Sequence, residues 1–507
     1  MMKKYDDLKD RRTSIEMTPD QFRALGHSLI DRLADFLCDL PTLPVTRGKS
    51  PGELRSLVHA DRSLPENGAD ANALLSAASE LLIENSLFNG HPRFWGYITS
   101  SPAPLGVLGD LLASAINANV GGWKLSPMAT EIETQTVKWI AELLGYPSDC
   151  GGVIVSGGNM ANFVGVLAAR AAKADWDVRA VGLNGKPARQ LRMYASGETH
   201  TWIHKAADLF GIGTDAIRWV ATGKDHRMEV TDLRRQIEED KSRGDCPFLV
   251  VGTGGSVSTG LIDPLPEIAA VCREYDLWFH VDGAYGGFAA AVPGISKDLL
   301  ALSQADSVAV DPHKWLYSPL EAGCALVRDA EVMRNAFSYH PPYYHFTEET
   351  TNYVDYSLQN SRGFKALKVW LTIQQVGRSG YAKMIGDDIR LAEALHERLE
   401  RHPDFEAVSQ NLSITTFRYV PAYLRDRIGS PNAEEYLNDL NKEILVRLEL
   451  GGEVFMSNAV VDDRFLLRTC VVNFRTSLED IEALPDIVAR YGHEVDAELR
   501  KEHRKVS

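Results

Sequence analysis

One lysine stands where few lysines belong. Lys314 lies in DPHKWLYSPLEAGCALV, residues 311–327, between His313 and Trp315, with apolar runs before it (Val308–Val310) and after it (Cys324–Val327). A buried lysine is costly while charged, and desolvation lowers its pKa. The partly neutral amine that results can attack an aldehyde and form a Schiff base. The plain alternative is a strand-end lysine whose stem packs while its ammonium reaches water. Asp282, in FHVDGAYGG, closes an apolar β-rich run. Ligands of open α/β sheets bind outside the carboxyl ends of strands, and a carboxylate there can hold a protonated ring nitrogen. A helix cap or a buried ion pair would use the same residue. Ala284, two positions on, falls on the same face and leaves room for a flat ring.

Ser156, Gly157, Gly158 and Asn159 join a strand-like run to a helical pattern. Glycines at a helix start let backbone N–H groups reach a phosphate, although an ordinary βα turn looks alike. His200, in SGETHTWIHKAADLF, follows another strand-like run. His204 lies four residues away, but Thr201 and Trp202 stand where an HExxH site needs its glutamate, so no metal is expected. An imidazole stacked on a cofactor ring fits better, with a structural histidine as the alternative. GTGGSVSTGLIDP fails the GxGxxG dinucleotide pattern because Val257 occupies the third glycine position. A Schiff-base lysine, a ring-nitrogen partner, a phosphate loop and a stacking ring together make the set that pyridoxal 5′-phosphate (PLP) chemistry requires.

These residues need a scaffold of strands and helices. Seven continuous β-rich runs, GGVIVSGG, RQLRMYASG, IRWVAT, FLVVGTGG, LWFHVDGA, SVAVDP and GCALVRD, alternate with helical patterns such as NMANFVGVLAARAAKA. That is α/β layering around a sheet covered on both faces. The patterning divides the chain at residues 1–85, 86–380 and 381–507. The first part is helical and peripheral, opening at Thr18 and Pro19. It continues into LPTLPVTRGKSPGEL, which reads as an extended arm expected to lie on something else, such as a second subunit. The last part is a smaller α+β unit with strands near 413–418 and 465–473. The 507 residues are 44% hydrophobic and 24% charged, ordinary for a globular protein. A net charge of −15 argues against nucleic acid or an anionic membrane as partner. Six scattered cysteines without a CxxC pair, a polar N-terminus and no long apolar span point to a cytoplasmic protein.

DPHKW after a strand, HVDGAYGG, HPRFWGY and SPMATEIE, in this order, resemble the group II PLP-dependent decarboxylases, the family of aromatic-L-amino-acid decarboxylase. The resemblance covers nearly the whole chain. It implies the aspartate aminotransferase fold: a large α/β domain with a mixed seven-stranded sheet, a small C-terminal α+β domain and an N-terminal helical arm wrapping a dimer partner. The implied product is an amine, formed with carbon dioxide from an L-amino acid, aromatic by first expectation. By the same resemblance Lys314 forms the Schiff base and Asp282 partners the pyridine nitrogen. Ala284 lies beneath the ring, and His200 stacks above it and approaches the substrate carboxylate. Gly157, Gly158 and His313 hold the phosphate with Asp311 nearby, and Ser256 stands where the family has a cofactor-contacting threonine. FSYHPPYYHF matches the family's catalytic loop, with Tyr343 as proton donor and Tyr344 the adjacent alternative; Arg362 matches a basic residue after it. Trp95 and Tyr97 favour an aromatic substrate. Ile98 and Gly121 replace aromatic residues of the family pocket, which predicts a wider one.

Three other readings compete. An aldehyde synthase of the same family would release aldehyde, ammonia and peroxide, and tends to carry phenylalanine in place of the loop tyrosine. An aminotransferase would want an arginine for the substrate carboxylate. A non-catalytic dimer on this fold would not need Asp282 as a ring-nitrogen partner.

Overall fold

The computed structural model describes residues 8, 9, 11, 13–185, 188–339 and 350–506. All seven β-rich runs form one sheet: β1 (Gly151–Val155), β2 (Leu191–Ser196), β3 (Ile217–Val220), β4 (Cys246–Thr253), β5 (Trp278–Asp282), β6 (Ser307–Val310) and β7 (Gly323–Val327). Their order is β1-β7-β6-β5-β4-β2-β3. β7 runs antiparallel to both neighbours, and the remaining pairs are parallel. Helices pack on both faces, which is why β1, β5, β6 and β7 are buried at every position. Parallel order brings the carboxyl ends of β2, β4, β5 and β6 to one edge, where ligands of such sheets bind.

A second, antiparallel sheet follows, ordered β10-β11-β9-β8. It comprises β8 (Phe405–Asn411), β9 (Ile414–Tyr419), β10 (Ser457–Val461) and β11 (Arg464–Cys470). One long helix, Ala366–Arg401, serves both sheets. Val369, Ile373 and Ile385 join the core of the large sheet, whereas Leu395 and Leu399 join that of the small one. It kinks at Gly377, whose φ of 68° is a left-handed conformation that glycine adopts without a Cβ penalty.

The N-terminal helices are α1 (Pro19–Asp39), α2 (Pro51–Leu57) and α3 (Ala71–Asn85). Thr18 and Gln21 form a capping box on α1. The stretch expected to be wholly extended turns helical at Pro51, because Ser50 and Glu53 form a second capping box. Neither α1 nor α3 buries a residue within the chain. The segment around Phe94 also departs from the sequence division. Phe94 bridges Phe455, and Trp95 is fully buried in the core of the small sheet.

Candidate active site

Asp282 and Lys314 meet across a cavity of about 320 Å³ at the carboxyl edge of the large sheet. Strand β5 ends in Asp282 and turns to present Ala284, while β6 runs into Asp311, His313 and Lys314. Strand β1 leads through Ser156, Gly157 and Gly158 into the helix α4, here defined as Gly158–Lys173, and β2 leads to Glu198 and His200. All of these line the one cavity.

The Asp282 carboxylate is buried and fixed. Trp202 Nε1 donates to its Oδ2 at 2.6 Å, and the Ala284 backbone N–H donates to Oδ1 at 3.1 Å. Lys314 Nζ lies 2.9 Å from Asp311 Oδ2, and His313 Nε2 lies 3.6 Å from the same oxygen. Burial holds His313 and His200 below the usual histidine range, so both rings favour the neutral form at neutral pH. Nδ1 of His200 accepts the Trp202 backbone N–H at 3.3 Å, which places the proton of the neutral ring on Nε2. Behind the site, buried His280 is pushed down to about 4. Its ring nitrogens lie 2.7 Å from Asn162 Oδ1 and from Ser307 Oγ, and this fixes Asn162 in the cavity wall.

The glycine turn leaves no room for side chains. Gly157 has a φ of +140°, and a Cβ on Gly158 would lie 2.8 Å from Asp311 Oδ2 and 3.1 Å from Ala284 Cβ. No side chain caps α4, so its first N–H groups are left for another acceptor.

The cavity gathers Lys314, His200, Asp282, Ala284, Gly157, Gly158, Asp311 and His313. Ser256 is not in its wall. The Ser256 hydroxyl lies 3.0 Å from Thr259 Oγ1 and accepts the N–H groups of Thr259 and Leu261 within its own turn. Thr253 lines the cavity, and its buried Oγ1 has no hydrogen-bond partner among the described residues. Its cue was register, since Thr253 pairs with Asp282 across β4 and β5. Sequence reading also passed over Glu198, Trp202 and Asn162. None of the four residues expected to shape the substrate pocket lines this cavity. Trp95 donates its indole N–H to Thr476, Tyr97 is exposed and tilted on Phe455, and Ile98 packs on the large core. Gly121 does not widen anything: a Cβ there would meet Asn360 O at 2.1 Å, so backbone fills the space an aromatic ring would need. Arg362 is buried away from the cavity, paired with Glu133 at 2.5 Å. Tyr343 and Tyr344 lie outside the described residues.

The donor set suits PLP. The uncapped glycine turn suits a phosphate, the fixed Asp282 carboxylate suits a protonated ring nitrogen, and Ala284 puts only a methyl group into the cavity that His200 also lines. Fold and site thus define a PLP enzyme of the aspartate aminotransferase type. Residues 51–420 match the pyridoxal-dependent decarboxylase conserved domain. The aromatic-L-amino-acid decarboxylase of Bacillus atrophaeus is 30% identical over 473 residues, 92% of this chain and 95% of that one. The 4-hydroxyphenylacetaldehyde synthase of Rhodiola rosea is 30% identical over 453 residues, 88% and 89% of the two chains. The crystal structure of Oryza sativa TDC with PLP and tryptamine matches with a TM-score of 0.87 at 26% identity, covering 95% of this chain and 99% of that chain. The chain belongs to the pyridoxal-dependent decarboxylase family, a carboxy-lyase with PLP as its cofactor. Among the described residues no helix is long and apolar enough to cross a membrane.

Proposed function

We propose that this enzyme decarboxylates an aromatic L-amino acid to the corresponding amine and carbon dioxide. The observation that carries the reading is the convergence of Lys314, Asp282, Ala284, His200 and the glycine turn on one cavity. Relatives named for aromatic amino acids support the substrate class.

PLP, when held here, would supply the electron sink for breaking the Cα–carboxylate bond of the substrate. Lys314 would anchor the cofactor, and Asp311, 2.9 Å away, would receive its ammonium when the substrate amine displaces it. Asp282 would keep the ring nitrogen protonated, its orientation set by Trp202 and Ala284. Gly157, Gly158 and His313 would hold the phosphate at the start of α4. His200 would stack on the ring and turn its Nε2–H toward the substrate carboxylate. Tyr343 would return a proton to the carbon that has lost carbon dioxide.

A homodimer would complete the assembly. Phe22 on α1 and Leu74 and Leu82 on α3 stand exposed, as do Leu108, Leu111, Leu112 and Ile116 on the helix Pro104–Ile116. Apolar surface of this extent favours a protein partner. The six cysteines are all free, which suits a reducing, cytoplasmic setting.

The aldehyde-synthase relative makes oxidative deamination the second reading. A panel of L-amino acids, with amine, carbon dioxide, aldehyde and peroxide measured together, separates the two. One amine per carbon dioxide from an aromatic substrate supports decarboxylation. Stoichiometric aldehyde and peroxide would replace it, and turnover of acidic amino acids alone would overturn the substrate class.

A further inference from the structure

All three residues that follow Lys314 are tied to one helix. Trp315 Nε1 and Tyr317 OH both donate to Oδ2 of Asp388, at 3.1 and 2.7 Å. Tyr381 OH donates to the Leu316 carbonyl at 3.2 Å. Tyr381 and Asp388 are seven residues apart on the helix Ala366–Arg401 and therefore share a face, and both are buried. The turn they grip has a reason to be gripped. Tyr317 sits at a φ of 52°, a left-handed conformation that a bulky residue holds only when its surroundings enforce it.

Asp388 reaches further than the turn. It lies past the Gly377 kink, on the part of the helix that continues to Leu395 and Leu399 in the core of the small sheet. One carboxyl thus ties the lysine turn to the long helix that runs on into the small-sheet core. The titratable groups acting on it are Tyr317 from the turn, Asp387 from its own helix and Cys470 from β11, with Tyr381 beside Tyr317. None of these is a cation. Burial therefore dominates and pushes the Asp388 carboxyl up to about 8, against the hydrogen bonds from Tyr317 and Trp315 that favour its ionised form.

We propose that Asp388 is a positioning residue for the decarboxylation reaction: by holding Trp315 and Tyr317 it sets where the Lys314 amine stands, and it passes the placement of the small-sheet unit to that amine. The proposal rests on the reading of Lys314 as the cofactor anchor. Asp388 itself touches neither cofactor nor substrate. Because the carboxyl has no salt-bridge partner among the described residues, a neutral amide of the same shape should serve in its place. Ionisation of Asp388 in alkali should tighten its bonds to Trp315 and Tyr317 and, through the turn, be visible at the cofactor.

The test uses the PLP-loaded enzyme with Asp388→Asn, Asp388→Ala and Tyr317→Phe, following thermal stability, the visible cofactor spectrum against pH, kcat and KM. Wild type should show an alkaline spectral transition near pH 8. Asp388→Asn should keep kcat within about twofold at pH 7 and lose that transition. Asp388→Ala leaves two buried donors without an acceptor and should lower kcat by about tenfold or more with KM little changed. Should the alanine variant fail to fold, Tyr317→Phe decides, since loss of its hydrogen bond should move the transition to higher pH. An unchanged transition in Asp388→Asn overturns the proposal, as do wild-type kcat in Asp388→Ala and an unmoved transition in Tyr317→Phe. Borohydride trapping of the cofactor in each variant keeps the two claims apart. A label on Lys314 preserves the anchor whatever Asp388 does, and a label elsewhere removes the anchor first.

Discussion

Alanine at Gly323 probes the phosphate turn from behind, from a residue that does not itself line the cavity. Gly323 opens β7 and pairs with Val155, two residues before Gly157. A Cβ at 323 would stand 2.5, 2.6 and 2.7 Å from the Gly157 C, Cα and N atoms. Ordinary contact begins at 3.4 Å, so backbone must retreat by about 0.7–0.9 Å, where the 6–12 potential is steeply repulsive. β7 lies between β1 and β6 and cannot give way, so the turn at 157 must move. Overpacking of this kind costs about 1–3 kcal/mol. Taken entirely from the phosphate cradle, that weakens PLP binding about 5- to 150-fold. The assay is spectroscopic titration of the cofactor-free protein with PLP, alongside its thermal midpoint. Gly197→Ala is the control, because nothing lies within 4 Å of its Cβ, and it should bind as wild type does. A folded Gly323→Ala protein with wild-type PLP affinity would refute the placement of the phosphate at Gly157 and Gly158.

The remaining expectations are shorter. Arg362→Met strands Glu133, a fully buried carboxylate whose other bond comes from the Ile154 N–H, and should cost about 3–5 kcal/mol in urea unfolding. Adding Glu133→Gln should recover most of that loss, and equal instability of single and double variants would contradict the pairing. Tyr343→Phe should slow amine release and raise aldehyde and peroxide in the presence of oxygen. If Tyr344→Phe does so instead, the proton donor is the neighbouring tyrosine.

The large sheet was legible because most of its strands are buried on both faces, so they appear as unbroken β-rich runs, while the edge strand β3 leaves Trp219 exposed. Two strands of the small sheet were not. β8 is only partly buried after its first residue, and β10 alternates buried with exposed positions, so neither forms an apolar block. Lys314, Asp282 and Gly157 could be singled out because Asp282 ends β5 and the other two follow closely on β6 and β1, each beside its own local signal. Trp95 misled because the small-sheet core draws it away from the cavity. At Gly121 a missing aromatic side chain suggested open space, and the Asn360 carbonyl occupies it. Asp388 lay beyond sequence reading altogether. It meets Trp315 and Tyr317 from more than seventy residues away, and an aspartate in a mostly polar helical stretch looks like one more solvated charge.

The most direct measurement is borohydride reduction of the PLP-loaded protein followed by peptide mass spectrometry. Lys314 as cofactor anchor predicts one modified lysine, in the DPHKW peptide, with the label absent from Lys314→Ala. A label on another lysine, or retained visible cofactor absorbance in Lys314→Ala, would contradict it.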